Sequence, residues 1–363
     1  MNSTKFPYNW DLKDSKTTKD KGKVFSCFSC GGGSTMGYKL AEFDVIGCNE
    51  IDPKMMAVYK INHRPKYSYL EDIRTFKLRK DLPKALHNLD ILDGSPPCSS
   101  FSMSGNREKD WGKEKKFKEG QVKQRLDTLF FDFIDLAKEL QPKIVVAENV
   151  KGILLGKAAS YKINYVNAIY KAFDKAGYYC QHYLLDASKM GVPQKRERVF
   201  FICLRKDLAK PFLKKIGFFK ITHNLKLEFN EPEITFSEID EGILGKRKEI
   251  NSEYALKVLQ NVTSSGVCQN FKKSLGGKLG GISFVQQVKN KRVALTVNAN
   301  SIIAYLDGKH EISKNEICKV GSFPLDYNFL KQQPRYIIGM SVPPVMLANI
   351  AEQIYLQLLS KLK

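Results

Sequence analysis

Acidic residues are few in this chain beside the basic ones. Against 59 Lys and Arg in 363 residues there are 38 Asp and Glu, a net charge of +21. A surplus of that size costs self-repulsion and reflects a polyanionic partner, nucleic acid ahead of an acidic membrane surface. Long apolar runs are missing as well. No stretch reads as a membrane span, and the opening "MNSTKFPYNWDLKDSKTTKDK" has no apolar signal core. The protein is therefore expected to stay in the compartment that makes it, with no membrane partner. A disulfide framework is also lacking: the eight cysteines are scattered, and only Cys27 and Cys30 lie close together. That Cys-x-x-Cys has no second Cys or His pair at ligand spacing, so a four-ligand zinc site is disfavoured and no metal is expected.

What is present is a rhythm. Hydrophobic residues make up 43% of the chain, enough for one large core or two modest ones. From Lys23 the pattern alternates: "KVFSCF" as a strand, "TMGYKLAEF" as a helix, "DVIGCNE" as a strand and "PKMMAVYKIN" as a helix. "LDILDGSPPC" is then a strand running into a Pro-rich turn, "RLDTLFFDFIDLAKEL" a helix, "KIVVAENV" a buried strand and "VNAIYKAFDKAG" a helix. Alternating units with continuous apolar strands predict an α/β domain, a Rossmann-like parallel sheet covered by helices on both faces. After "RVFFICLRK" the repeat stops, and short strand-like runs mix with Gly, Ser, Asn and Lys. The expected organisation is a polar N-terminal segment over 1–20, a catalytic and cofactor-binding domain over 21–204, and a smaller, mostly β or irregular target-recognition domain over 205–295. Residues 296–363 then return to the first domain.

Two stretches carry chemistry. In "VFSCFSCGGGSTMG" a strand, a glycine run and a helix form a ligand cradle, because glycine admits close backbone approach and helix N–H groups face the ligand. Glu50, about 20 residues on at the end of the second strand, is placed to accept from ribose hydroxyls. The loop is not G-x-G-x-x-G, so a nicotinamide dinucleotide is disfavoured and an adenosine ligand without pyrophosphate fits. In "DGSPPCSSFSMSG", Cys98 follows two prolines at the C-terminal end of a strand, a stiff setting that suits a nucleophile. A lone buried cysteine filling the core is the bland alternative.

Taken in order, "FSCGGG", "NEID", "LEDI", "SPPCSSFS", "AENV", "QKRERVFFI" and "GMSVPP" resemble the motif series of the DNA (cytosine-5) methyltransferases of bacteria and phages. The resemblance spans about residues 24–204 and 312–350. It implies S-adenosyl-L-methionine as cofactor, bound by Phe28, Cys30, Gly31, Gly33, Glu50, Ile51, Asp72, Ile73, Pro96, Ser341 and Val342. It implies Cys98 as the thiolate that adds to C6 of cytosine, Glu148 as the group at N3, Arg198 at the exocyclic oxygen and Arg196 as a further catalytic residue. Ser99, Ser102 and Ser104 are implied DNA contacts, and Gln194 is implied to be structural or near the DNA. If "QKRER" is a strand, Gln194, Arg196 and Arg198 share one face. The basic stretch "NREKDWGKEKKFKEGQVKQR" resembles a loop that closes over a base rotated out of duplex DNA. The expected partners are double-stranded DNA and a cognate restriction endonuclease, for a monomer working in the cytoplasm.

The chain departs from that family's pattern in places. Ser26 stands where an acid is usual, Cys30 where glycine is usual, Ser99 where glutamine is usual and Met340 where asparagine is common, and Asn315 replaces an arginine. Three other readings are weighed: methylation of tRNA cytosine, a DNA-binding relative without catalysis, and a nicotinamide oxidoreductase. The last accounts for neither Cys98 nor "QKRER".

Overall fold

The computed structural model describes residues 6–15, 17–97, 128–155, 165–216, 220–260 and 285–362. Within these, the chain divides into two compact units. One, the sheet unit, comprises residues 17–185, 197–228 and 348–363; the second comprises residues 1–16, 186–196 and 229–347.

The sheet unit is built on seven strands: β1 (Lys23–Cys27), β2 (Asp44–Glu50), β3 (Tyr67–Leu70), β4 (Ile91–Gly94), β5 (Ile144–Val150), β6 (Tyr178–Asp186) and β7 (Glu197–Arg205). Their order is β3-β2-β1-β4-β5-β7-β6. The chain moves outward from β1 to β3 and then returns to place β4 on the other side of β1, so the switch point of the sheet lies between β1 and β4. Ligands of open α/β sheets bind at that crevice, beyond the C-terminal strand ends.

Pairings from β3 through β5 are parallel, but β7 runs antiparallel to β5. The wholly parallel sheet expected from the strand-helix rhythm is thus a mixed one. Its physical reason is the short connection from β6, Tyr178–Asp186, to β7, which leaves no room for a crossover helix.

Both sheet faces are buried. On one, Phe25, Leu92, Val145 and Phe201 join a single core cluster with helices α4 (Leu129–Leu140) and α5 (Tyr165–Lys175). Helix α4 reaches it through Leu129, Phe130, Phe133, Ile134, Ala137 and Leu140, one stripe at helical spacing. On the other face, Val24, Ile91, Ile144, Val146 and Phe200 are fully buried. Helix α1 (Gly33–Leu40) lies there, with Tyr38 reaching the end of β4. Helix α2 (Pro53–His63) starts at a well-formed cap, where Asp52 accepts from the Lys54 and Met55 amides and Pro53 fills the first turn.

The second unit contains the pair Val285–Gln287 with Ile302–Ala304 and the helix Lys314–Val320. Residues 6–15 are pinned to it: Trp10 Nε1 donates to the Ser322 carbonyl at 3.0 Å, and the Leu12 and Lys13 amides donate to Asp326.

Candidate active site

The glycine loop begins where β1 ends. Phe28, Cys30 and Gly32 adopt left-handed backbone, with φ of 52°, 45° and 83°. Gly32 is required twice: for its φ, and because a Cβ there would lie 2.2 Å from His63 Nε2. Cys30 takes the same conformation with a side chain attached, at a cost of about 1 kcal/mol. Gly31 and Gly33 are buried, Gly33 opening α1.

Glu50 closes this loop onto the sheet. Its Oε2 accepts from the Cys30 amide at 2.7 Å, and its Oε1 from the Ile51 and Asp52 amides at 2.8 and 2.9 Å. Burial pushes its pKa up, and these three N–H donors oppose that rise. Oε1 is thereby filled, while Oε2, which accepts only from Cys30, still has a lone pair free for a hydroxyl.

Around it stand the other expected cofactor residues of this unit. Phe28 is half-buried, its ring edge-on to Phe133 at 6.3 Å. Ile51 is half-buried and Ile73 is buried in the core. Asp72 caps the short helix α3 (Ile73–Phe76), accepting from the Arg74 amide at 2.9 Å and from its Nη2 at 2.6 Å. Burial alone would raise Asp72, but Arg74 outweighs it and holds the carboxyl below its ordinary value.

At the other side of the switch point, Pro96 is buried two residues before Cys98. Its carbonyl accepts from Asn149 Nδ2 at 3.2 Å. Asn149 therefore ties β5 to the prolyl turn, a role that its sequence position directly after Glu148 hints at but does not state. Cys98, Ser99, Ser102 and Ser104, together with the basic stretch after them, lie outside the described residues.

Glu148 and Arg198 meet across β5 and β7. The register sets Glu148 opposite Phe200 and Val150 opposite Arg198, so both side chains leave the same face of the sheet. Glu148 Oε1 and Arg198 Nε are 3.1 Å apart, with 12% and 14% of the side chains exposed. Burial draws the Arg198 pKa down and the charge on Glu148 opposes it. A carboxyl group and a guanidinium, side by side and largely out of water, can together grip the N3 and O2 edge of a pyrimidine.

Arg196 and Gln194 are placed differently. The strand begins at Glu197, so the shared face expected for Gln194, Arg196 and Arg198 does not form. Arg196, in the second unit, donates to the carbonyls of Val297, Gly339 and Ser341 at 3.0, 3.0 and 2.9 Å. These bonds make it a strut that orders the backbone leading to Ser341 and Val342, both buried. Gln194 is 1% exposed, gives its Nε2 to the Val320 carbonyl and takes the Val297 amide on Oε1. Both ends of its amide are used inside the unit, as a structural residue's would be.

The sheet-unit residues suit an S-adenosyl nucleoside by the chemistry of their donors: a carboxylate for a ribose diol, a half-buried ring for a purine, and a glycine loop for close backbone approach. The fold and this cradle define the class, a Rossmann-like methyltransferase. The profile of C-5 cytosine-specific DNA methylases matches residues 22–356, and the chain belongs to that family. Its relatives include the Type II methyltransferases M.FnuDI of Fusobacterium nucleatum and M.NgoPII of Neisseria gonorrhoeae. The first is 37% identical over 186 residues, covering 51% of this chain and 48% of the relative. The second is 36% identical over 199 residues, covering 54% and 52%. The chain thus spans about half the length of these curated relatives in the matched region. Among solved structures, one described as a DNA modification methyltransferase encoded within an E. coli prophage aligns with TM-score 0.62 at 19% identity, over 92% of this chain and 99% of that one.

Proposed function

We propose that the protein transfers a methyl group from S-adenosyl-L-methionine to C5 of a cytosine rotated out of duplex DNA, through a covalent bond between Cys98 and C6. The observation that carries this reading is the Glu148–Arg198 pair, 3.1 Å apart at the end of the sheet, beside the prolyl turn that leads to Cys98.

The cofactor supplies an electrophilic methyl on a sulfonium. The chain's own residues have to make C5 nucleophilic enough to accept it. Cys98, as thiolate, adds to C6 and pushes electron density toward C5. Charge then builds on the ring, and Glu148 lowers the barrier by lending a proton to N3 while Arg198 holds O2. C5 takes the methyl as its bond to the sulfonium sulfur breaks, leaving S-adenosyl-L-homocysteine. The C5 proton then passes to water, the C6–S bond breaks to release the Cys98 thiolate, and the N3 proton returns to Glu148. Asn149 keeps the turn before Cys98 in place. Ser99, Ser102 and Ser104 are assigned to the DNA backbone, and the second unit to target recognition. The setting proposed is restriction-modification or anti-restriction, with a monomer acting in the cytoplasm alongside a cognate endonuclease.

The test uses duplex DNA carrying 5-fluorocytosine, tritiated cofactor and denaturing electrophoresis. Wild-type protein should remain joined to the DNA, whereas Cys98→Ala should neither join nor methylate. Methylation at the wild-type rate by Cys98→Ala would end the proposal. Methyl incorporation into tRNA but not duplex DNA would change the substrate.

A further inference from the structure

One acid in the sheet unit has no part in the mechanism above. Asp93, in β4, is 2% exposed, and among the described residues it forms no ion pair. The β1–β4 register sets it directly opposite Ser26. Ser26 Oγ donates to its Oδ2 at 2.8 Å and Tyr38 OH to its Oδ1 at 3.2 Å. Tyr38 stands on the second turn of α1, the helix that the glycine loop opens. That helix has no side-chain cap at Gly32 and no acid in its first turn. A buried carboxylate without a cation is costly, so two hydroxyls from two elements converging on one is a built arrangement rather than filler.

We propose that Asp93 is a positioning residue of the cofactor pocket. Its carboxylate clamps α1, through Tyr38, to β1, through Ser26, and so sets the aim of the glycine loop at the switch point. It supplies from the sheet the negative charge that the start of α1 lacks. Ser26 stands where the family pattern has an acid, and here the acid sits one strand over, at the register partner of Ser26. The inference rests on the cofactor reading proposed above.

The clamp is pH-sensitive. Burial lifts Asp93 to about 7, its hydroxyl partners oppose the rise, and Glu148 on β5 adds to it. The other titratable groups that face it are Tyr38 on α1 and Cys27 on β1, both pushed well above their ordinary values by burial first and by Asp93 second. Only Asp93 among these changes charge near neutrality. Ionised, it accepts from both hydroxyls; protonated, it gives up acceptor capacity and the clamp loosens. Cofactor affinity should therefore rise as pH rises through about 7.

The experiment measures binding of S-adenosylhomocysteine by calorimetry from acid to alkaline pH, beside thermal melts. It compares the wild type, Asp93→Asn and the exchange variant Ser26→Asp/Asp93→Ser. Wild-type Kd should fall about tenfold across the two units centred on the Asp93 titration. Asp93→Asn should bind about tenfold more weakly at alkaline pH, with a flat profile. Its KM for the methyl donor should rise by a similar factor, with a smaller change in kcat. The exchange variant, with its acid back on β1, should recover most of the lost affinity. Unaltered binding and pH profile in Asp93→Asn would overturn the inference, as would an affinity loss that the exchange leaves unrepaired. Binding by the wild type without methyl transfer to any nucleic acid would sink the proposed reaction and leave the Asp93 result standing. No binding by the wild type would overturn both.

Discussion

Cys30 holds a backbone conformation that its own side chain resists, and its amide is still the group that meets Glu50 at 2.7 Å. Replacing it with glycine relieves about 1 kcal/mol of left-handed strain and adds back roughly 0.5–1 kcal/mol of unfolded-chain entropy. Cys30→Gly should thus melt within a few degrees of the wild type and bind S-adenosylhomocysteine as tightly or more tightly. Loss of binding in calorimetry would mean that the Cys30 thiol itself makes a contact the pocket needs. At this scale the glycine loop and Glu50 were legible, because a glycine run between a strand and a helix marks close backbone approach and the spacing from loop to acid follows from the β-α-β geometry. Asp93 was not. A single acid in "ILDG" reads as the start of a turn, and only strand pairing reveals that it faces Ser26 and Tyr38. Asn149 was hidden for a related reason: its partner is a backbone carbonyl, which no residue type announces.

Elements show where local pattern is outweighed by connection. The strands and helices that the sequence pattern picks out between β1 and α5 are present, since burial of one stripe or both faces leaves a plain period. The four-residue β3 and α3 between α2 and β4 went unread. What the period cannot carry is direction, so the antiparallel β7 escaped, and the strand was extended back to Gln194 although it begins at Glu197. Arg196 consequently lies before the strand and braces three backbone carbonyls. Arg196→Met should cost about 2–4 kcal/mol, because buried carbonyls lose charge-assisted donors and nothing replaces them. The denaturant midpoint would report it, and Arg196→Lys should recover only a fraction, since one ammonium cannot reproduce the guanidinium fork. A midpoint within error of the wild type would show that the brace is dispensable.

The whole molecule carries +21, and that surplus has a measurable consequence. Affinity for duplex DNA of arbitrary sequence should fall with salt, with a log-log slope steeper than about −3, as expected when several phosphates exchange counterions for Lys and Arg. Fluorescence anisotropy across a salt series would measure it, and a flat slope would detach the charge from DNA binding. Composition also concealed something. The C-terminal run Pro334–Lys361 is long and apolar enough to cross a membrane, contrary to the first reading of the sequence, but 78% of its most apolar window is buried in the protein. It is also interrupted, with helices at Pro334–Met340 and Pro344–Gln357. The change of rhythm after β7 predicts a second domain over 205–295 with a return over 296–363. The compact units comprise residues 1–16, 186–196 and 229–347 on the one hand and 17–185, 197–228 and 348–363 on the other, so the two interleave and the chain enters the sheet unit three separate times.

That interleaving bears on the order of synthesis. Lys21, just before β1, ion-pairs with Glu352 at 2.6 Å, and Phe43 meets Tyr355 edge-on at 6.3 Å. The earliest-made strand of the sheet therefore waits for Glu352 and Tyr355, far along the chain, before these contacts can form. Until then the apolar face beside β1 and β2 stays open to other nascent chains. A chain cut short just before Ala348 would keep every recognisable motif and still lack the segment that closes its first-made layer.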